Sequence, residues 1–195
     1  LFSKSNSINI LSASRVFLFG ARDIWFVVGV PIFFYDKLSW SFTEVGSFMA
    51  SWIIFYGIIQ SLAPKLLKIF YGNNFSENEQ AFIWAIKLLL IIACLGILSY
   101  TYDYNGYLIC MGLFLFGFIF AINSSIHSYL ILALANKNDV TLDVGFYYMA
   151  NAMGRLLGCI ISGFSYQIAG LIGCFVFAGI FLFFCSVFSF YLKSY

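Results

Sequence analysis

The chain has 195 residues, of which 63% are hydrophobic and only 9% are charged. Soluble domains carry about 25% charged residues, so this composition excludes a water-soluble globular domain. The mean hydropathy of +0.96 excludes a disordered chain, and the net charge of +2 is too small for a nucleic-acid surface. Lipid is the expected solvent, and the predicted fold class is an all-α membrane protein.

Six apolar segments follow one another along the chain, each near the ~20 residues that a membrane-spanning helix needs. The second is expected to begin at a capping box from Ser41 to Glu44 and to end before Pro64. Because the chain begins with Leu1 rather than Met, it is interpreted as the later part of a longer protein. The predicted spans are 8–34, 44–63, 80–100, 107–135, 145–168 and 170–192.

Lysines in the polar breaks predict the orientation, because cytoplasmic loops are enriched in Lys and Arg. With the N-terminus inside, the outer breaks carry only Lys37. We therefore expect both termini to be cytoplasmic and the protein to lie in the plasma (inner) membrane. The inner breaks carry Lys4, Lys65, Lys68, Lys137 and Lys193.

The cysteines predict neither a metal site nor a disulfide framework. All five lie in apolar runs and none forms a CxxC pair, so each is interpreted as a small packing residue. No cofactor motif is present, and a nucleotide-binding loop is absent as well. We expect no cofactor. The cysteines are Cys94, Cys110, Cys159, Cys174 and Cys185.

Two arginines near the middle of predicted spans are the strongest functional signal. An ionisable group inside a bilayer costs about 2.5–3.5 kcal/mol by insertion scales, so it is retained where a partner or a cavity receives it. Arg22 in the first span and Arg155 in the fifth are too deep to reach an interface. Paired guanidinium donors suit an anion, so we predict that both bind an anionic substrate.

Asp23 follows Arg22 but is expected to point about 100° away around the helix. Two roles stay open for it: a proton carrier in a coupled cycle, or an interhelical salt bridge to Arg155 that only stabilises the bundle. Arg15 lies one heptad before Arg22 and shares its face, where it either lines a cavity or reaches the interface. Lys87, in the third span, is expected to reach the interface.

The fourth and fifth spans carry the remaining polar residues. Asn123 and His127 are four residues apart on the fourth span, and are read either as substrate or proton contacts or as packing residues. On the fifth, a polar stripe and a GxxxG pattern, Gly154 to Gly158, occupy different faces. Spans one, four and five are expected to line a cavity, while three and six are peripheral. The stripe comprises Tyr148, Asn151, Arg155 and Ser162.

Together, six helices with polar first, fourth and fifth spans resemble the C-terminal half of a major facilitator superfamily transporter, in which three-plus-three helix repeats are usual. More closely, the strings SASRVFLFGARDIWFVVGVPIFF, NSSIHSYLI and LDVGFYYMANAMGRLLG are similar to the arsenic-resistance permeases of the ArsJ type. They cover residues 12–34, 123–131 and 142–158.

The resemblance implies an efflux permease for an organoarsenical anion, 1-arseno-3-phosphoglycerate, in arsenate resistance. It also implies a functional link to the glyceraldehyde-3-phosphate dehydrogenase that makes this ester, and a missing N-terminal six-helix half as partner. The loop signature usual in the superfamily is missing from 60–67. The residues on which the implied substrate and coupling roles fall are Arg15, Arg22, Asp23, Asn123, His127, Tyr148, Asn151 and Arg155.

Other functions fit the residues less well. An intramembrane enzyme needs a nucleophile–base pair or a metal constellation, and the sequence contains neither HExxH nor GxSxG. We therefore predict that the protein is not an enzyme. A permease for a different organic anion and a membrane assembly subunit without transport remain as alternatives. Proton coupling through Asp23 or His127 is expected for the transporter.

Overall fold

A computed structural model describes residues 5–72, 76–101, 105–135 and 139–193. Two of the lysines that predict the orientation, Lys4 and Lys137, lie outside the described residues, as does the side chain of Lys193. All the regular structure in the described ranges is helical. The helices are α1 (Asn6–Ile24), α2 (Val30–Leu38), α3 (Phe42–Tyr71), α4 (Glu77–Thr101), α5 (Gly106–Leu134) and α6 (Val140–Lys193).

The first predicted span is continuous but contains a wide turn. A π-helical segment, Trp25–Gly29, joins α1 to α2, and the N–H of Val30 donates to the carbonyl of Trp25, five residues earlier. Pro31 explains this turn, because proline has no N–H and its ring crowds the carbonyl four residues before it. The span therefore runs over Asn6–Leu38, longer at both ends than 8–34.

The second helix begins as the sequence predicts but ends later. At the capping box, the N–H of Ser41 donates to the Glu44 carboxylate at 2.7 Å, and the N–H of Glu44 donates back to the Ser41 hydroxyl at 3.3 Å. The expected end at Pro64 is wrong, since α3 continues to Tyr71. Proline removes one backbone hydrogen bond, while burial of Ala63 and Leu67 in a core cluster holds the helix on both sides of it.

Five helices of the described chain are long and apolar enough to cross a membrane, and the last of them holds both the fifth and the sixth predicted spans. This helix, α6, is broken at Ala169 and Gly170, where Gly170 has a positive φ of 60°. Beyond the break, Cys174 Sγ lies 3.8 Å from the carbonyl of Ser162. Twelve residues of straight helix would separate them by about 18 Å, so the chain folds back here.

The two limbs of α6, residues 140–168 and 171–193, run in opposite directions along α1. A Cβ added to Gly154 would meet Val16, and one added to Gly158 would meet the Gly20 carbonyl at 2.7 Å, so the first limb is parallel to α1. The second limb is antiparallel, with Ser189 against Ser14 and Phe181 against Phe17. The GxxxG face is thus a close-packing face, as expected.

Two hydrophobic clusters fill the interior. The larger includes Trp25, Trp52 and Phe116, and the smaller includes Leu11, Trp84 and Tyr147. The helix α1 packs against α5 and both limbs of α6, while α4 packs against α5 and α6. In contrast, the surface of α3 is largely exposed. The centre of the bundle is therefore α1, the helix that carries Arg15, Arg22 and Asp23.

Candidate functional site

Asp23 lies between two arginines from different helices. One of its carboxylate oxygens accepts from Arg22 Nε at 2.6 Å, and the other accepts from Arg155 Nε at 3.2 Å. The Asp23 side chain is 1% exposed, that of Arg22 12% and that of Arg155 57%. We call this group of three residues the Asp23 centre. Its Arg155 side chain is exposed at the surface, whereas its carboxylate is buried.

The expectation that Arg22 and Asp23 point apart is wrong. Their Cα–Cβ bonds diverge around the helix, but the guanidinium is long enough to fold back to the neighbouring carboxylate. The Arg22 guanidinium also lies 5.2 Å from the Phe19 ring centroid and 5.5 Å from that of Phe120. Burial against these rings favours a short, direct ion pair over a solvated one.

Close packing of α1 on the first limb of α6 explains how Arg155 reaches Asp23. A Cβ built on Gly158 would come within 2.8 Å of the Asp23 Cβ. Because position 158 has no side chain, the backbones approach at this level and Arg155, three residues earlier, spans the short gap. The glycine pattern and the charged residues thus belong to one local arrangement.

Arg15 is buried, and no carboxylate of the described ranges pairs with it. It is 4% exposed, so of the two alternatives for it, reaching the interface is wrong. Its Nε donates to the side-chain oxygen of Asn151 at 3.2 Å, and its Nη1 donates to the carbonyl and the hydroxyl of Ser124, each at 3.1 Å. Tyr56 from α3 is 3.3 Å from the same hydroxyl. This Arg15 centre joins α1, α3, α5 and the first limb of α6.

The four residues of the predicted polar stripe on the fifth span do not share one environment in the structure. Tyr148 is 57% exposed and shares the open side with Arg155, whereas Asn151 is half-buried against Arg15. Ser162 departs from the stripe, because it is buried and accepts from the N–H of Gly29 at 3.3 Å. It therefore caps the π-helical turn, whose irregular hydrogen bonding needs an outside acceptor.

Asn123 and His127 lie in the interior of the bundle. Both are fully buried, and neither the amide of Asn123 nor either ring nitrogen of His127 has a hydrogen-bond partner among the described residues. Ser124, which bonds Arg15, lies between them on α5. Unpaired buried polar groups are costly, so these two side chains stay candidates for contact with a polar ligand or water.

Lys87 is separate from this region. Its Nζ is 3.3 Å from the hydroxyl of Tyr71 and 4.0 Å from the Trp84 ring centroid. Tyr71 ends α3, so the lysine reaches toward the C-terminal end of that helix. It contributes no charge to either arginine centre.

Three participants were missed in the sequence. Ser124 and Tyr56 complete the Arg15 centre, and the Phe19 ring lies close to the guanidinium groups of both Arg15 and Arg22. One signal was available for Phe19, which lies four residues after Arg15 and three before Arg22 and hence on the same helical face. Nothing local marks Tyr56, because it comes from a helix with an otherwise exposed, apolar surface.

Chemically, the two centres are a set of oriented cationic donors. Together they hold three guanidinium groups and one carboxylate, Asp23, which contacts Arg22 and Arg155 but not Arg15, so positive charge is in excess among these residues. Planar guanidinium donors match the geometry of carboxylate and phosphate oxygens. Within the described residues no group of three metal-ligating side chains comes together.

Comparison with known proteins identifies the family. The model of the Major Facilitator Superfamily matches residues 11–194, nearly the whole chain. The chain belongs to the Major Facilitator Superfamily. No curated protein and no solved structure matches it. The apolar helices are therefore those of an integral membrane transporter, and both arginine centres lie within a major facilitator fold.

Proposed function

We propose that this chain forms the C-terminal six-helix half of a twelve-helix transporter, with three-plus-three helices and both termini in the cytoplasm. The fold-back at Ala169 and Gly170 supports six crossings rather than five, because each limb of α6 exceeds the ~20 residues needed. The parallel course of α1 and the first limb is also what alternating crossings require. The N-terminal half is the proposed partner.

The proposed activity is secondary transport of a small organic anion. A single observation carries it: Asp23, an internal carboxylate, is held by Arg22 and Arg155 in the way a carboxylate or phosphate substrate would be. The exposed side of Arg155 gives an anion access to this position. Tyr148, Asn151, Arg15, Asn123 and His127 are the further proposed substrate contacts.

The proposed coupling follows from competition at the Asp23 centre. While Asp23 is ionised it neutralises part of the charge of both guanidinium groups, so a second anion is bound weakly. Protonation removes that competitor and leaves two donors free for the substrate. Asp23 is thus a proton-carrying residue, with His127 as the second candidate. Rocking of the two halves then exposes the loaded site to the other side, so the proton and the anion cross together, and export is driven by the concentration and negative charge of the anion.

Within this class, we propose export of 1-arseno-3-phosphoglycerate from the inner membrane, as part of arsenate resistance. The similarity of the three sequence strings to ArsJ-type permeases supports this substrate, and its phosphate and arsenate groups fit paired arginines. The proposal includes a functional link to the glyceraldehyde-3-phosphate dehydrogenase that forms the ester. A permease for a different organic anion is the second candidate, favoured by the same charge arrangement.

The test is transport by the full-length protein in proteoliposomes. Vesicles loaded with 3-phosphoglycerate, a stable relative of the ester, are expected to exchange it for labelled external 3-phosphoglycerate. Replacing both Arg22→Gln and Arg155→Gln is expected to abolish the exchange, while Lys87→Gln leaves it unchanged. If exchange persists in the double variant, the arginine pair does not bind the anion, and a role in membrane assembly becomes the better reading.

A second experiment addresses the arsenical. Cells that express the full-length protein with the dehydrogenase are expected to survive arsenate better than cells with the dehydrogenase alone. Equal survival of the two kinds of cell would contradict the arsenical substrate. The exchange of 3-phosphoglycerate in vesicles does not depend on this result, so the arsenical substrate and the transport of an organic anion can fail separately.

A further inference from the structure

Arg15 is a buried cation that is satisfied by neutral groups only. At 4% exposure it forms no ion pair with a described carboxylate, and its partners are Asn151 and Ser124. An unpaired charge in an apolar interior is expensive, and neutral hydrogen bonds offset that cost only in part. Its position inside the bundle therefore favours an anion, and the described residues do not provide one.

The guanidinium of Arg15 is held in a fixed orientation, and one of its nitrogen atoms donates to no described residue. Nε and Nη1 are used by the protein, whereas Nη2 donates to no described residue. The group lies 3.9 Å from the Phe19 ring centroid and 5.0 Å from that of Tyr147. Donors that are oriented before a ligand arrives bind it with little further ordering.

The two arginine centres lie against the same side chain, that of Phe19. The guanidinium carbons of Arg15 and Arg22 lie 3.9 Å and 5.2 Å from the centroid of the same Phe19 ring. Their separation therefore does not exceed the sum of these two distances, which is the length of a small organic molecule. An anion with one charged group can pair with only one of these centres and leaves the other without a carboxylate or phosphate.

We infer that Arg15 is a second anion subsite, so that the transporter selects small organic anions with a charged group at each end. One charged group binds at Arg22 and Arg155 and the other binds at Arg15. Phe19 lies beside the part of the substrate that joins the two charged groups. This inference rests on the anion transport proposed above and narrows its substrate class. Asn123, adjacent to Ser124, and His127, one turn later on α5, have no side-chain hydrogen bond to a described residue and are available to the second charged group.

The test compares two probes that differ by one charged end. Glycerol 3-phosphate carries a phosphate only, and 3-phosphoglycerate carries a phosphate and a carboxylate. Binding to the full-length transporter is measured by calorimetry. The wild type is expected to bind 3-phosphoglycerate about tenfold more tightly, as one charge-assisted hydrogen-bonded contact implies. Arg15→Gln is expected to bring this ratio close to one while the affinity for glycerol 3-phosphate stays within about twofold.

Controls distinguish an anion subsite from an arginine that only stabilises the contact between helices. Lys87→Gln removes a cation from the same half and is expected to keep the ratio. If Arg15→Gln does not fold, Arg15→Lys keeps the charge without the planar fork and is expected to lower the ratio. A ratio that persists in whichever variant folds, or an equal loss for both probes, overturns the subsite. Equal binding of both probes by the wild type overturns this inference alone, whereas binding of neither also overturns the proposed function.

Discussion

The two arginines of α1 have partners of different kinds, one charged and the other neutral. Arg22 and Arg15 lie one heptad apart, beside the same phenylalanine ring, yet Arg22 pairs with a carboxylate and Arg15 with an amide and a serine. The first arrangement cancels charge, and the second only solvates it. In the proposed mechanism, an external anion competes with Asp23 at the first centre, whereas no carboxylate in the described part of the chain competes at Arg15.

This difference teaches where coupling and where selection reside. In the proposed mechanism, coupling requires a titratable acid and is therefore assigned to Asp23. The Arg15 centre, whose described partners are neutral, is assigned to substrate selection. The following changes break or sharpen this contrast, beginning with the largest expected effect.

Asp23→Ala is expected to be the most destabilising change. It leaves Arg22 buried beside Phe19 and Phe120 without its counter-ion, and loss of one partner of a buried ion pair costs about 3–5 kcal/mol. The free energy of unfolding is measured in detergent by denaturant titration. Asp36→Ala, at an exposed carboxylate near the end of α2, is the control. A loss no larger than that of the control would contradict the buried pair.

Gly158→Val is expected to separate the two helices that carry the centres. A Cβ at this position meets the Gly20 carbonyl at 2.7 Å, and overpacking of this kind costs about 1–3 kcal/mol. Gly163→Val is the matched control, because no atom lies within 4 Å of its added Cβ. Thermal unfolding followed by tryptophan fluorescence distinguishes them, and equal melting temperatures would show that the close approach is absent.

Asn151→Ala is expected to weaken the Arg15 centre moderately. It removes the acceptor of Arg15 Nε, a hydrogen bond to a charged group worth about 1.5–3 kcal/mol, and the half-exposed position favours the lower end. Stability is measured as for Asp23→Ala, with exposed Gln167→Ala as control. A cost as large as that of Asp23→Ala would mean that neutral and ionic partners are equivalent here.

Tyr148→Phe is expected to leave stability within about 0.5 kcal/mol, because the side chain is 57% exposed. As a proposed substrate contact, its hydroxyl is expected to contribute about fivefold to the affinity for 3-phosphoglycerate. Tyr129→Phe, at a similarly exposed position on α5, is the control for calorimetric binding. Identical affinities in the two variants would remove Tyr148 from the site.

Much of this arrangement was predictable from single positions. Arg22 and Arg155 stand out because charge at mid-span is costly wherever it occurs, and Ser41 and Glu44 predict a helix start by a local rule. The close approach at Gly158 follows from residue size. In each case the physical cause lies in one residue or its near neighbours.

What the sequence did not predict depends on contacts between distant segments. The continuation of α3 through Pro64 depends on burial of Ala63 and Leu67 in the core, and this outweighs a single lost hydrogen bond. The neutral partners of Arg15 come from α5 and α6, so its burial was left open. The fold-back of Arg22 onto Asp23 reflects the rings packed around it. Side-chain direction on an isolated helix does not include those rings.

The affinity of Asp23→Asn for 3-phosphoglycerate, compared with that of the wild type at the same pH, tests the central claim most directly. In the wild type, the Asp23 carboxylate is expected to compete with the substrate for Arg22 and Arg155. In Asp23→Asn this competitor is uncharged, so 3-phosphoglycerate is expected to bind more tightly, and transport is expected to respond no longer to a proton gradient. Weaker binding in Asp23→Asn than in the wild type, or transport that still responds to a proton gradient, would contradict competition at Asp23.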